Sequence, residues 1–161
     1  MFVKSKVFNM KTEQIDSTDQ DILLALRTNC RRSAREIAKE IGISPAVLIE
    51  RLKRLEQKGI VKGYVANLDF LKLGYEFMGF VQIAIEPGHL LEAQEKISKL
   101  KGVYAVYDIT GEYDSVALVI AKTRSEFSAL IKKIHATPHI KRTNTSMVLN
   151  VVQDPFSFKD L

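Results

Sequence analysis

The chain carries a single cysteine among 161 residues. Cys30 has no partner for an internal disulfide, Cys-rich metal sites are excluded with it, and the usage points to a reducing, cytoplasmic setting. Long hydrophobic runs are missing too. With no stretch of about 18 consecutive apolar residues, a membrane-spanning helix is not expected. The opening MFVKSKVFNM alternates apolar and basic residues without the apolar core of a secretory leader, and reads as a loose arm. A soluble chain is expected, and 46% hydrophobic residues suffice for a buried core. Catalytic signatures are absent as well: no P-loop and no nucleophile motif occurs. His135 and His139 stand four apart, but Pro138 breaks the helix that would bring them to one face, and no carboxylate pattern completes a metal site. Both are expected at the surface, as is His89. Neither an enzyme activity nor a metal or cofactor is expected.

What the chain has is a lopsided charge. Residues 1–63 hold 13 Lys and Arg against 8 Asp and Glu, and residues 64–161 hold 11 against 11, so the whole net charge of +5 lies in the first part. A basic module followed by a neutral one suggests a polyanion-binding part joined to a part with another task.

Residues 16–63 read as three helices. Asp16 or Thr18 caps the first, which ends near Asn29 and carries Ile22, Leu23, Ala25 and Leu26 inward. Ser33 with Glu36 forms a capping box for a second over residues 34–41, stopped by Gly42. Ser44-Pro45 then opens a third over residues 45–58, with Gly59 behind it. Along this helix Leu48, Leu52 and Leu55 recur on one face and must face the core; Ala46, Glu50, Lys53 and Gln57 lie opposite, flanked by Ile49 and Arg54. That arrangement is a helix-turn-helix, and residues 59–66 follow as a short β segment in the place of a wing. A helix in the major groove reads base edges with its outward N-terminal side chains while basic groups around it hold phosphates. Ala46, Ile49, Glu50 and Lys53 are therefore the candidate base readers. Arg31, Arg32, Arg35, Arg54 and Lys62, with the Ser44 hydroxyl, are the candidate phosphate holders on double-stranded DNA. Arg51, at the edge of the apolar stripe, is expected to support helix packing.

The second half changes period. Strands are expected over residues 77–85, 103–109, 116–121 and 140–152. One helix, marked by Leu90, Ala93, Ile97 and Leu100, falls between the first two, and another, capped by Ser125 and carrying Phe127, Leu130, Ile131 and Ile134, precedes the last. The order βαββαβ is that of a ferredoxin-like unit, making the whole chain α+β, with two helices on one face of an antiparallel sheet. The other face, with Phe80, Tyr104, Val106, Val119 and Val148 among its expected residues, calls for a partner, and a homodimer is the economical one. Residues 101–108 lack the aromatic positions with which such sheets stack RNA bases. At Thr110-Gly111-Glu112-Tyr113-Asp114, a Gly turn offers backbone N–H groups to a carboxylate and Asp114 offers a charge to an ammonium group, two needs that together describe an amino acid. Asp108 stands one strand position away, and Thr143 and Thr145, two apart and so on one face, could add hydroxyls from a neighbouring subunit. A plain hairpin turn would also account for the Gly.

The motifs Ile15-Asp16-Ser17-Thr18-Asp19, Glu36-Ile37-Ala38, Gly42-Ile43-Ser44-Pro45, Arg51-Leu52-Lys53-Arg54-Leu55-Glu56 and Gly59-Ile60-Val61-Lys62-Gly63-Tyr64 resemble, in order, those of the Lrp/AsnC regulators. Thr110-Gly111-Glu112-Tyr113-Asp114 and the stretch 143–149 resemble that family's effector domain. The resemblance covers residues 15–152 and implies a winged helix-turn-helix over 15–63, a hinge strand and linker over 64–74 and an effector and oligomerisation domain over 75–152; an arm over 1–14 and a tail over 153–161 are expected to flank them. It further implies sheet-to-sheet dimers that assemble into tetramers or octamers, and amino-acid ligands at Gly111, Tyr113 and Asp114 with Thr143 and Thr145 from a facing subunit. Ile49 and Glu50 depart from the more polar or basic residues common on the family's recognition helix. A transcriptional regulator is the resulting expectation. The alternative is an amino-acid-sensing regulatory subunit whose helix-turn-helix docks on a protein.

Overall fold

A computed structural model describes residues 15–153; the arm over 1–14 and all but the first residue of the expected tail lie outside them. The chain divides into two compact units between Ala66 and Asn67.

In the first unit, α1 (Ser17–Asn29), α2 (Ala34–Ile41) and α3 (Pro45–Gln57) are each started by a side chain that accepts the orphan N–H three residues on: Asp16, Ser33 and Ser44. The first two caps are reciprocal boxes, Asp16 with Asp19 and Ser33 with Glu36. Gly42 ends α2 in the left-handed conformation, at φ 81°, which a side chain would resist. Ile22, Ala25, Ile37, Ala38, Leu48 and Leu55 form the buried centre where the three helices meet.

The β segment expected over 59–66 is not formed. The N–H groups of Ile60 and Val61 both return to the Leu55 carbonyl, at 3.0 and 3.2 Å, and both side chains pack on the helical core. Beyond them the Tyr64 hydroxyl donates to Glu56 at 2.8 Å. No strand lies between α3 and the sheet among the described residues; a strand requires a ladder partner, and none of the described residues supplies one for this segment.

The second unit is β1 (Phe77–Ile85), α4 (Leu90–Ser98), β2 (Val103–Asp108), β3 (Ser115–Ala121), α5 (Arg124–His135) and β4 (Ile140–Met147). The sheet is antiparallel in the order β2-β3-β1-β4, with Val81 opposite both Ala117 and Thr145. Val81, Ile83, Ile85, Ala117 and Val119 pack against Ala93 and Ile97 of α4 and Phe127, Leu130 and Ile134 of α5. Three sequence readings are corrected here. Thr123, not Ser125, caps α5: its hydroxyl accepts from Glu126 N–H at 3.1 Å and Glu126 answers at the Thr123 N–H. Val119 and Val106 belong to the helix-covered face, since Val119 is fully buried and Val106 packs on the same cluster. And β4 stops at Met147, because β1 opposite begins at Phe77 and only one further bond, Val148 N–H to Met78 carbonyl at 2.8 Å, can be made. Phe80 and Tyr104 stay about half exposed, as do Tyr107 and Met147.

Candidate DNA-binding face and ligand turn

The register of α3 is set by Leu48 and Leu55, which are 2% and 0% exposed. That places Ala46, Ile49, Glu50 and Lys53 on its outward side, all exposed. Ile49 is the largest exposed apolar group there, 57% accessible. Ser44 uses its oxygen to cap the helix, accepting from Val47 N–H at 3.2 Å, and keeps its hydroxyl hydrogen for another acceptor. Arg31, Arg35 and Lys62 are exposed.

Two of the expected phosphate holders are already committed within the fold. Asp19, only 2% exposed, accepts from Arg51 at 2.9 Å and from Arg54 at 2.8 and 3.0 Å. Arg51 also bonds Asp16 at 2.6 and 2.7 Å, which ties α3 to the start of α1. Arg54 is thus a strut as much as a surface cation, and Arg51 packs the helices together as its place beside the apolar stripe suggests. Arg32 bridges the Ala25 carbonyl, at 3.1 Å, and the Glu40 carboxylate, with its Nε buried and unbonded. Nothing local in the sequence marks Asp19 as buried; its partners lie 32 and 35 positions on.

These pairs set the acid chemistry of the unit. The Arg51 guanidinium, and then the Asp19 N–H, hold the Asp16 carboxyl below its usual value. The Ser33 hydroxyl and N–H do the same for Glu36. Burial, with the bond to Glu56, pushes the Tyr64 phenol up to about 12.

In the second unit the Gly turn closes the end of the sheet. Gly111 has φ 127° and open space where a side chain would stand. Asp114 is not the free acceptor expected: its carboxylate takes the Ile85 N–H at 2.7 Å, while its own N–H donates to the Ile83 carbonyl at 3.0 Å. It fastens the turn to β1. Arg142 pins the other side, donating to Glu112 at 2.8 Å and lying 4.8 Å from the Tyr113 ring centroid. Asp108 receives the Gln94 amide of α4 at 3.3 Å. Thr143 and Thr145 do share a face, but it is that of Ile83 and Val81, their partners in register, and Arg142 projects from the other. Thr143 lies 3.4 Å from His135 Nδ1. Within one chain the two threonines are not brought to the turn.

His135 is exposed as expected, while His89 and His139 are half-buried. His89 and His139, 50 positions apart in sequence, stack with ring centroids 3.6 Å apart and planes 4° from parallel. Glu86 lies 2.8 Å from His139 Nδ1.

A helix-turn-helix whose third helix turns a solvated face outward, joined to a βαββαβ sheet, is also what known proteins share with this chain. Residues 15–62 match the model of winged helix-turn-helix DNA-binding domains, and residues 78–157 match that of the Lrp/AsnC ligand-binding domain. An uncharacterised HTH-type transcriptional regulator of Pyrococcus furiosus is 32% identical, covering 89% of this chain and 97% of its own. The chain belongs to the Lrp/AsnC family. The HTH-type transcriptional regulator Ptr1 of Methanocaldococcus jannaschii is 33% identical over 87% of this chain and 95% of its own. E. coli AsnC superposes with a TM-score of 0.79 at 31% identity, covering 88% and 95% of the two chains. A regulator from Neisseria meningitidis, solved as a complex with L-Met, superposes at 0.81 with 25% identity over 88% and 94%. Lrp/AsnC proteins and the relatives matched here are transcriptional regulators, not enzymes. This member is a DNA-binding regulator of that kind, and no described helix is long and apolar enough to cross a membrane.

Proposed function

We propose that the protein binds DNA sequence-specifically through the outward face of α3, as a homodimer or larger assembly whose DNA binding responds to a small amino acid. The observation that carries the reading is the division of α3: Leu48 and Leu55 are consumed by the core, leaving Ala46, Ile49, Glu50 and Lys53 exposed beside Ser44 at the helix start. In this reading Lys53 and its neighbours meet base edges, while Arg31, Arg35, Lys62 and the Ser44 hydroxyl hold phosphates. Arg32 and Arg54 act mainly by keeping the helices in place. The site of action is inside the cell, where DNA is.

Support for a ligand comes from the open Gly111 turn and from the L-Met bound in the Neisseria neighbour. The turn's free N–H groups receive the ligand carboxylate, and Asp114 keeps the turn on β1. Thr143 and Thr145 take part only from another subunit. Self-association is supported by the half-exposed Phe80 and Tyr107, an uncovered apolar pair on a sheet whose other face is packed.

Selection from fragmented genomic DNA in rising salt, followed by sequencing, tests the DNA reading. Enrichment of a recurring motif with two half-sites is expected. Retention of DNA without any shared motif, lost as salt rises, would favour a helix-turn-helix that docks on protein. A calorimetric screen of the twenty amino acids tests the ligand reading: one or a few should bind wild type and fail on Gly111→Val, and no binding to wild type ends it.

A further inference from the structure

Glu86, His89 and His139 meet at one end of the second unit, outside the five turn residues. Each offers one donor atom, and the three atoms lie within 4.8 Å of one another. We propose that this cluster binds a divalent first-row transition-metal ion of the zinc type.

The backbone brings the three together before any ion arrives. Glu86 follows β1, His89 precedes α4 and His139 precedes β4. The Glu86 N–H donates to the His139 carbonyl at 2.9 Å, and the His89 N–H donates to the Glu86 carbonyl at 3.2 Å. His139 is the one non-glycine described residue with positive φ, 70°. Side-chain geometry follows this frame: Glu86 Oε2 stands 2.8 Å from His139 Nδ1, and the two imidazoles lie face to face.

Two imidazole nitrogens and one carboxylate oxygen are a donor set for zinc and its neighbours; magnesium and calcium prefer all-oxygen shells. Ligands at about 2.0–2.2 Å from such an ion stand closer to each other than 4.8 Å, so the donors need only a modest approach. Stacked rings do not point their lone pairs at one spot, and binding therefore splays them. Their side chains, 41% and 29% exposed, have the freedom to do so. Glu92 Oε2, 3.6 Å from His89 Nδ1, stands where an outer carboxylate orients a ligating imidazole. Three protein ligands leave a coordination position open to water or another small donor.

The test uses untagged full-length protein stripped with a chelator, titrated with zinc chloride against a chromophoric competitor and, in parallel, with cobalt chloride to follow its visible spectrum. One ion per chain is expected, with magnesium unable to compete. His89→Gln and His139→Asn, the second chosen because Asn tolerates positive φ, should each weaken zinc binding by roughly tenfold or more, as even outer-shell changes do at such sites. Glu86→Gln should act alike. His135→Ala, outside the cluster, should leave the affinity unchanged, and circular dichroism of the ion-free variants should match wild type. Failure of the folded wild type to bind zinc at micromolar concentration would overturn the proposal, as would equal affinity in His89→Gln/His139→Asn.

Discussion

Asp19 is the residue on which the first unit turns. It is the one buried charged residue among those described, and it is satisfied by two arginines from α3, so its removal leaves both guanidiniums without their common acceptor. Hydrogen bonds to charged groups are worth about 1.5–3 kcal/mol each way, and Arg51 and Arg54 can still turn to water, so Asp19→Ala should cost about that much. Hydrogen exchange of α1 and α3 amides would register it as roughly ten- to a hundredfold faster opening; unchanged protection would contradict the strut. Acid should act on the same unit. Asp16 and Glu36 have native carboxyl values lowered from 3.8 and 4.5, so the stability they supply is fully present above those usual values and is lost as pH falls through the lowered ones. The same exchange measurement between pH 6 and acid should stay flat and then decline, and Arg51→Met should remove the part owed to Asp16.

Elements differ in how much of them is written locally. The caps of α1, α2 and α3 are contained within four residues each, which is why Ser33-Glu36 and Ser44-Pro45 could be read as helix starts and the α1 start narrowed to Asp16 or Thr18, of which Asp16 is the cap. The α5 start is just as local: Thr123 and Glu126 spell a capping box, two residues ahead of the Ser125 start expected from sequence. Thr123→Ala should therefore destabilise the second unit by about 1 kcal/mol, while Ser125→Ala should do little, a contrast that chemical denaturation can resolve. Strands depend on partners. Residues 59–66 have the composition of a strand and no neighbour to pair with among the described residues, and β4 is limited by the length of β1. The ligand turn shows the same dependence, since Asp114 looks free in sequence until β1 folds against it and supplies the Ile85 N–H. Pairings across 50 positions, such as His89 with His139, or 30, such as Glu112 with Arg142, leave no trace in local pattern at all.

At the scale of the whole molecule, a basic first unit is joined to a neutral second one. If the open face of the sheet joins two copies, Phe80→Asp should shift full-length protein toward monomer in light scattering while its circular dichroism stays native; an unchanged mass would place the contact elsewhere. DNA affinity should then fall too, because two half-sites held together gain over one. The most direct measurement is the salt dependence of binding to a selected operator and to unrelated DNA, for wild type, Lys53→Ala and Arg31→Ala. Arg31→Ala should weaken both DNAs alike and lower the salt slope by about one, whereas Lys53→Ala should weaken the operator more and narrow the ratio between the two. Operator and unrelated DNA bound equally well by wild type, or a ratio untouched by Lys53→Ala, would contradict recognition through the outward face of α3.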